Sequence, residues 1–414
     1  MTTETSGLRV NGERLWQTHM DLAEIGAIPN DGCCRLTLTD DDKRARDRFA
    51  EWCVAAGCKV DVDRAGNMFA TRPGRRTVPP AATGSHLDTQ PHGGRFDGIY
   101  GVMAGLEVIR TLNDADIETE LPVAVVNWTN EEGVRFPAGI LGSTAYAGRW
   151  SLGDLHKLVA IDGATFGDEL KRIGYDGELN LGGFEMTAFY EAHIEQGPVL
   201  EREDIPVGIV TKVQGLRWIE VTVTGADRHA GTTPMDARSD SLVAAAHMIV
   251  ELEALGLVHA PDARITVGRL DVSPNSGSTI PGGTRFNIDL RHPQTEVLDQ
   301  LETEIGSLCE AAAARQSASA EISRVIEMPP VDFDETCIAD LERAAGALDI
   351  PSRRMLSGAL HDASPVSMIV PAAMIFVPCR DGISHNEAEW AEPAHLEAGC
   401  NVMLHAMLGR AGVV

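Results

Sequence analysis

The sequence predicts an α/β protein in which a mixed, mostly parallel sheet carries the chemistry and a smaller α+β unit is inserted into it. Three observations lead there. Short apolar strands alternate with segments of helical period in the first half of the chain. The rhythm changes near Val213 to strands that alternate apolar and polar residues, and the first pattern returns after about Glu335. At 414 residues the chain also exceeds the size at which one core usually keeps growing, which favours two domains.

The elements follow in order. Thr39-Asp40-Asp41-Asp42 has the form of a capping box and opens a helix with Phe49, Trp52, Cys53 and Ala56 along one side. Residues 81–85 and 121–127 read as short buried strands, and between them 98–112 is helical, with Val102, Leu106, Ile109 and Leu112 at helical spacing. In the middle of the chain, 218–225 alternates with Ile219, Val221 and Val223 on one face. Then come a helix at 240–255, strands at 265–271 and 284–291, a helix at 295–316 and a last strand at 320–328. This β-α-β-β-α-β order is that of a ferredoxin-like unit. The expected division is a discontinuous domain, 1–213 with 331–414, around an insert at 214–330. No internal repeat or low-complexity segment interrupts the pattern.

Composition excludes several classes of function. Thirty-five Lys and Arg stand against 61 Asp and Glu, a formal charge of −26. Such a surface repels nucleic acid and anionic lipid, so neither is an expected partner. No apolar run is read as approaching the roughly 20 residues of a membrane span, and the polar stretch 1–10 lacks the order of a secretion signal. The eight cysteines are scattered without a C-x-x-C pair, as in a cytoplasmic protein with reduced thiols.

The chemistry-bearing residues stand at strand ends and turns. His86 and Asp88 lie in Gly84-Ser85-His86-Leu87-Asp88-Thr89, after a predicted strand. A period of two would point them the same way, so the carboxylate could hold the ring. Asp97 lies in Gly93-Gly94-Arg95-Phe96-Asp97-Gly98, a glycine-rich loop entering a helix. Asn130-Glu131-Glu132-Gly133 follows another strand. His193 lies in Glu191-Ala192-His193-Ile194-Glu195-Gln196-Gly197, and His385 in Gly382-Ile383-Ser384-His385-Asn386, after the apolar strand 373–377. Singly each carries little. Together, three imidazoles with carboxylates at the carboxyl ends of strands suit a paired site for ions of Zn or Mn type.

These motifs resemble the M20-type metal-dependent amidohydrolases, and more narrowly the branch of N-carbamoyl-L-amino-acid hydrolases, β-ureidopropionases and allantoate amidohydrolases. The resemblance runs from Arg35-Leu36-Thr37-Leu38-Thr39 to His385. His193 favours this branch, since the peptidase branch usually carries an acidic residue there. The resemblance implies two divalent ions per subunit, Zn foremost with Mn or Co as alternatives. Asp97 would be shared between them, with His86 and His193 completing one set and Glu132 and His385 the other. Glu131 would be the general base and Asp88 would orient His86. It also implies a homodimer joined through the insert. His229, in Gly225-Ala226-Asp227-Arg228-His229-Ala230-Gly231, would reach the partner's site and stabilise charge on the scissile carbonyl.

Arg291 ends its strand on the face opposite Phe286, Ile288 and Leu290, and matches the family's clamp for a substrate carboxylate. Gln196, Asn275 and His361 match further substrate positions. Two residues depart from the pattern: Ser278 stands where relatives carry Asn, and Leu360 where they carry Gly. Both bear on the choice of substrate. The expected reaction is hydrolysis of an N-carbamoyl or similar ureido acid to amine, carbon dioxide and ammonia. Allantoate amidohydrolase, aminoacylase and dipeptidase activities are the alternatives.

Overall fold

The computed structural model describes residues 7–414. Residues 1–6, part of the stretch read as lacking a secretion signal, lie outside the described residues. Chain contacts divide the molecule into two compact units, one comprising residues up to Thr211 with Asp332–Val414, the other Lys212–Val331.

Among the described residues, a nine-stranded sheet frames the larger unit. Its middle is parallel: Val123–Trp128, Ala81–His86, Ala188–Ile194 and Ala372–Val377 lie side by side in that order. Antiparallel strands flank them, Met68–Arg72 on one side and Val207–Val213 on the other. Every residue of the four middle strands is buried. This is why they read as continuous apolar runs and not as alternating ones. The strand expected at 121–127 begins only at Val123, because Pro122 has no N–H to give a sheet ladder. The strand expected to stop at Ser85 continues one residue, so that His86 itself ends it. Helix Ile99–Asp114, buried along most of its length, crosses between the two strands it connects. Thr39 caps helix Asp40–Ala55 by accepting the Asp42 N–H at 3.3 Å, and Asp42 reaches back to the Leu38 N–H at 2.7 Å.

The smaller unit is a four-stranded antiparallel sheet in the order Ser319–Met328, Gly215–Thr224, Gly283–His292, Arg264–Ser273. Helices Ser241–Val258 and Thr295–Arg315 cover one face. Ile219, Val221, Val223, Met248, Leu252, Phe286, Ile288, Leu290, Leu301 and Ile305 make the core between helices and sheet. The sequence expectation of no membrane-length apolar segment is corrected here. Helix Ser241–Val258 is long and apolar enough to cross a membrane by length and composition, with a mean hydropathy of 1.7. In this fold Ala244, Ala245, Met248 and Leu252 turn one side of it onto the sheet, while Val250, Leu257 and Val258 are exposed.

Candidate active site

The parallel strands end together, and the turns beyond them carry the functional side chains. His86 closes strand Ala81–His86, and His193 lies near the end of Ala188–Ile194. Asp97 sits in the turn before helix Ile99–Asp114. The next residue, Gly98, has φ +70°, and a Cβ there would lie 2.2 Å from His86 Nε2. Only glycine allows the backbone so close to the imidazole. Glu131 and Glu132 follow strand Val123–Trp128 across a turn in which Asn130 takes φ +60°. His385, at φ +54°, follows strand Ala372–Val377 and is half exposed.

These residues form two groups that share Asp97. His86, Asp97 and His193 form one, and Asp97, Glu132 and His385 the other; within each, the donor atoms lie within 4.8 Å of one another. Asp97 Oδ1 is 3.5 Å from His86 Nε2 and 3.1 Å from His193 Nε2, and its Oδ2 is 3.3 Å from His385 Nε2. His385 Nε2 is 3.4 Å from Glu132 Oε2. His86 Nδ1 donates to the Asp88 carbonyl and His193 Nδ1 to the Ile194 carbonyl, each at 2.9 Å, which turns both Nε2 atoms toward Asp97, where loss of the Nε2 proton on cation binding would make them ligands. This donor set, imidazole and carboxylate with one carboxylate facing both groups, fits a pair of divalent cations.

Electrostatics point the same way. Asp88, Asp97, Glu131, Glu132, Glu191, Asp362 and Glu389 crowd a largely buried region around His86, His193, His361 and His385. Burial, reinforced by Asp362, Glu132 and Asp97 and opposed by His86, pushes Glu131 well above the carboxylate range. Burial and Asp97 carry Glu132 up to about 7, against the pull of His385 and His86. Burial pulls His86 down, but Glu131, Asp97 and Asp88 outweigh it and hold the ring well above its ordinary value. His385 rises to about 9 on its hydrogen bond to Asp97, against burial. Cations would relieve this excess of buried acid.

Several expected placements are revised. The strand ends before Asp88, so period-two geometry does not extend to it. The carbonyl of Asp88 holds the His86 ring, while its carboxylate stands 3.9 Å from Nδ1. That carboxylate instead accepts the Thr37 hydroxyl at 2.8 Å and the backbone N–H groups of Glu131 and Glu132 at 3.3 and 3.2 Å. It thereby orients the Glu pair. Gln196, at φ +56°, donates its amide to Asp97 Oδ2 at 2.7 Å, and its buried Oε1 has no partner. His361 is 2% exposed, packed 4.4 Å from the His193 ring and bonded to Ser357 Oγ at 3.0 Å. Burial, and next His193, keep it well below its usual value and thus neutral. Leu360 is half-buried beside it.

The smaller unit holds the remaining candidates in two places. His229 pairs with Thr279 across a short ladder, and the Ala230 N–H donates to the Ser278 carbonyl at 2.9 Å. Asn275 and Ser278 are exposed in the same loop. The N–H groups of Gly231 and Thr232 donate to His229 Nδ1, so the ring proton sits on Nε2. Arg291 forms a fork with Asp289 at 2.8 and 3.0 Å, and Trp218 donates to the same carboxylate at 2.9 Å. Strand Gly283–His292 separates Arg291 from the His229 loop; at about 3.3 Å per residue it spans roughly 25–30 Å.

Residues not picked out from the sequence also touch the site. Gln90 donates to Glu132 Oε2 at 2.7 Å, and Glu191 accepts Ser85 Oγ at 2.6 Å and the Ala363 N–H at 2.7 Å. Glu389 binds the Asp97 loop. A carboxylate inside the apolar string Ala388-Glu389-Trp390-Ala391 was a readable signal for the last of these; nothing marked Gln90.

Fold and site define the class, a hydrolase of amide C–N bonds with candidate ligands for divalent metal at the carboxyl ends of a mostly parallel sheet. The chain belongs to peptidase family M20/M25/M40, whose sequence profile matches residues 82–409. It is 42% identical to an N-carbamoyl-L-amino-acid amidohydrolase of Rhizobium meliloti over 98% of each chain. It is 38% identical to an N-carbamoyl-L-amino acid amidohydrolase of Geobacillus stearothermophilus over 96% of this chain and 98% of that one. The crystal structure of a hydantoinase/carbamoylase-family amidase from Burkholderia multivorans matches it with a TM-score of 0.93 and 48% identity, covering 98% of both chains.

Proposed function

We propose that the protein hydrolyses N-carbamoyl-L-amino acids to the free amino acid, carbon dioxide and ammonia. The observation that carries this reading is the pair of ligand groups sharing Asp97, with Glu131 at their edge. His86 and His193 would complete one ion site and Glu132 and His385 the other, for Zn foremost with Mn or Co as alternatives. Two bound divalent ions supply Lewis acidity and lower the pKa of water. Glu131 takes a proton from the attacking water as its oxygen bonds to the ureido carbonyl carbon. The same carboxyl then gives that proton to the substrate nitrogen as the C–N bond breaks. Carbamic acid leaves and divides into carbon dioxide and ammonia. The unpartnered Oε1 of Gln196 would accept a ureido N–H, and Arg291 would hold the α-carboxylate.

His229, with its Nε2–H outward, would donate to the developing oxyanion. The strand between Arg291 and His229 is far longer than a carbamoyl amino acid, so the two cannot grip one substrate from a single chain. This supports a homodimer joined through the inserted unit, in which each site takes Arg291 from one chain and His229 with the 275–278 loop from the other. The reading places the protein in the cytoplasm, with its eight cysteines free and with no nucleic-acid or membrane partner. Ammonia release measured across several carbamoyl-L-amino acids, carbamoyl-β-alanine, allantoate and a set of dipeptides tests the proposal. Turnover led by carbamoyl-L-amino acids is expected. Dipeptide hydrolysis without ammonia release overturns it.

A further inference from the structure

Glu389 is 4% exposed, and none of the roles above uses it. Its Oε1 accepts the backbone N–H of Phe96 at 2.8 Å and of Asp97 at 3.1 Å. Ser384 Oγ stands 2.6 Å from Asp97 Oδ2 and 3.0 Å from Glu389 Oε2, so its one hydroxyl proton is shared between the two carboxylates. One buried carboxylate therefore reaches Asp97 by two routes, through the main chain and through a serine onto the side chain. Glu389 belongs to the segment that carries His385, and its own N–H closes a turn on the Asn386 carbonyl at 3.0 Å. The Asp97 loop is pressed against it, since a Cβ on Gly94 would lie 2.2 Å from Glu389 Oε1. Burying a carboxylate is costly unless hydrogen bonds compensate, and here two backbone donors converge on Oε1 while Oε2 shares the Ser384 hydroxyl with Asp97.

We propose that Glu389 is a positioning residue for the shared ligand, tying the Asp97 loop to the His385 segment so that one carboxylate faces both ligand groups. The inference rests on the two-ion reading above. Its consequence is asymmetric. His86 and His193 sit on middle strands of the sheet and hold their places without Glu389. His385 is half exposed, beyond the last strand, and its register with Asp97 passes through the Glu389–Ser384 link. Loss of the link should weaken the Asp97–Glu132–His385 group and spare the Asp97–His86–His193 group.

The test is a titration of metal-stripped full-length protein with Co²⁺, read by equilibrium dialysis and by the visible spectrum. The parent should take up two ions per subunit. Glu389→Ala should keep the first ion at parental affinity and bind the second about 10–100-fold more weakly, the usual effect of an outer partner of a metal ligand. Glu389→Gln, which keeps an oxygen for the two backbone N–H groups, should recover part of that loss. Ser384→Ala cuts only the side-chain route and should give the same asymmetry in smaller degree; it carries the test if Glu389→Ala does not fold. Two ions bound at parental affinity by the variants overturn the proposal. So does equal weakening of both ions with a lower Tm of the metal-free protein, the mark of a merely structural tie. A parent that takes up fewer than two ions overturns the two-ion reading itself.

Discussion

Glu131 Oε2 lies 3.5 Å from His86 Nε2, at the edge of the first ligand group. Its chain neighbour Glu132 faces the other way, with Oε2 3.4 Å from His385 Nε2. The Asp88 carboxylate makes this divergence possible by holding both backbone N–H groups of the pair. Two adjacent carboxylates thereby serve different partners. Glu131→Gln is expected to retain both ions and lose about 10²–10⁴-fold in kcat, the range of a general-base contribution. Glu132→Gln is expected to lose metal from the His385 group. Metal content and turnover of the two variants, measured side by side, check the assignment; the reverse pattern would exchange the two roles.

Arg291 is presented by the face of its strand opposite the core, with Asp289 across one edge of its guanidinium. If it clamps the substrate carboxylate, Arg291→Ala should cost about 2–5 kcal/mol in kcat/KM for carboxylate substrates, as loss of one partner of a buried charge pair does. Arg291→Lys should be poor as well, since an ammonium cannot reproduce the fork. The deficit should shrink for amide analogues of the same substrates. Unchanged kcat/KM for every carboxylate substrate would place the clamp elsewhere.

Subunit mixing tests the role of His229. Homodimers of His229→Ala and of Glu131→Gln should each be nearly inactive. If the proposed dimer holds, a hybrid would contain one site that takes Glu131 from one chain and His229 from the other, both intact. Activity is expected to return as mixed subunits exchange, towards a quarter of the parental level at equal amounts. No return after exchange has been demonstrated by mass spectrometry would mean that His229 acts within its own chain or not at all.

His19 predicts an acid-labile step in stability. The ring is buried, its Nε2 donates to the Arg95 carbonyl at 2.6 Å, and its Nδ1 has no partner. Burial brings its pKa down to about 4 from 6.5, against the pull of the Arg95 carbonyl. A folded pKa below the unfolded one contributes stability above about pH 6.5, lost as pH falls through about 4, because the unfolded chain takes the proton first. The loss is on the order of 3 kcal/mol at most. His19→Gln keeps a donor for the carbonyl but cannot titrate. Its Tm should therefore fall less than the parent's between pH 7 and pH 4; parallel curves would remove His19 from the account.

The sequence by itself determined which residues stand at the ends of the middle strands. Strand, turn and helix are local patterns, and the carboxyl ends of parallel strands are one place whatever the rest of the chain does. The segments that carry His86, Asp97, Glu131, Glu132, His193 and His385 were legible as strand ends and turns for that reason, while the role expected of each came from the resemblance to a known family. The alternating strands of the smaller unit were legible because one face is packed and the other is open. Only the tertiary structure decided how atoms face one another over long stretches of chain. Asp88 binds the Glu pair because strand Ala81–His86 ends two residues too early for its carboxylate to reach the ring. Gln196 turns onto Asp97 through a left-handed backbone that its side-chain type does not announce. Glu389 meets Asp97 across 292 residues of chain, and the distance between His229 and Arg291 exists only once a strand lies straight between them. Contacts of that kind depend on how the sheet assembles, and no local period encodes them.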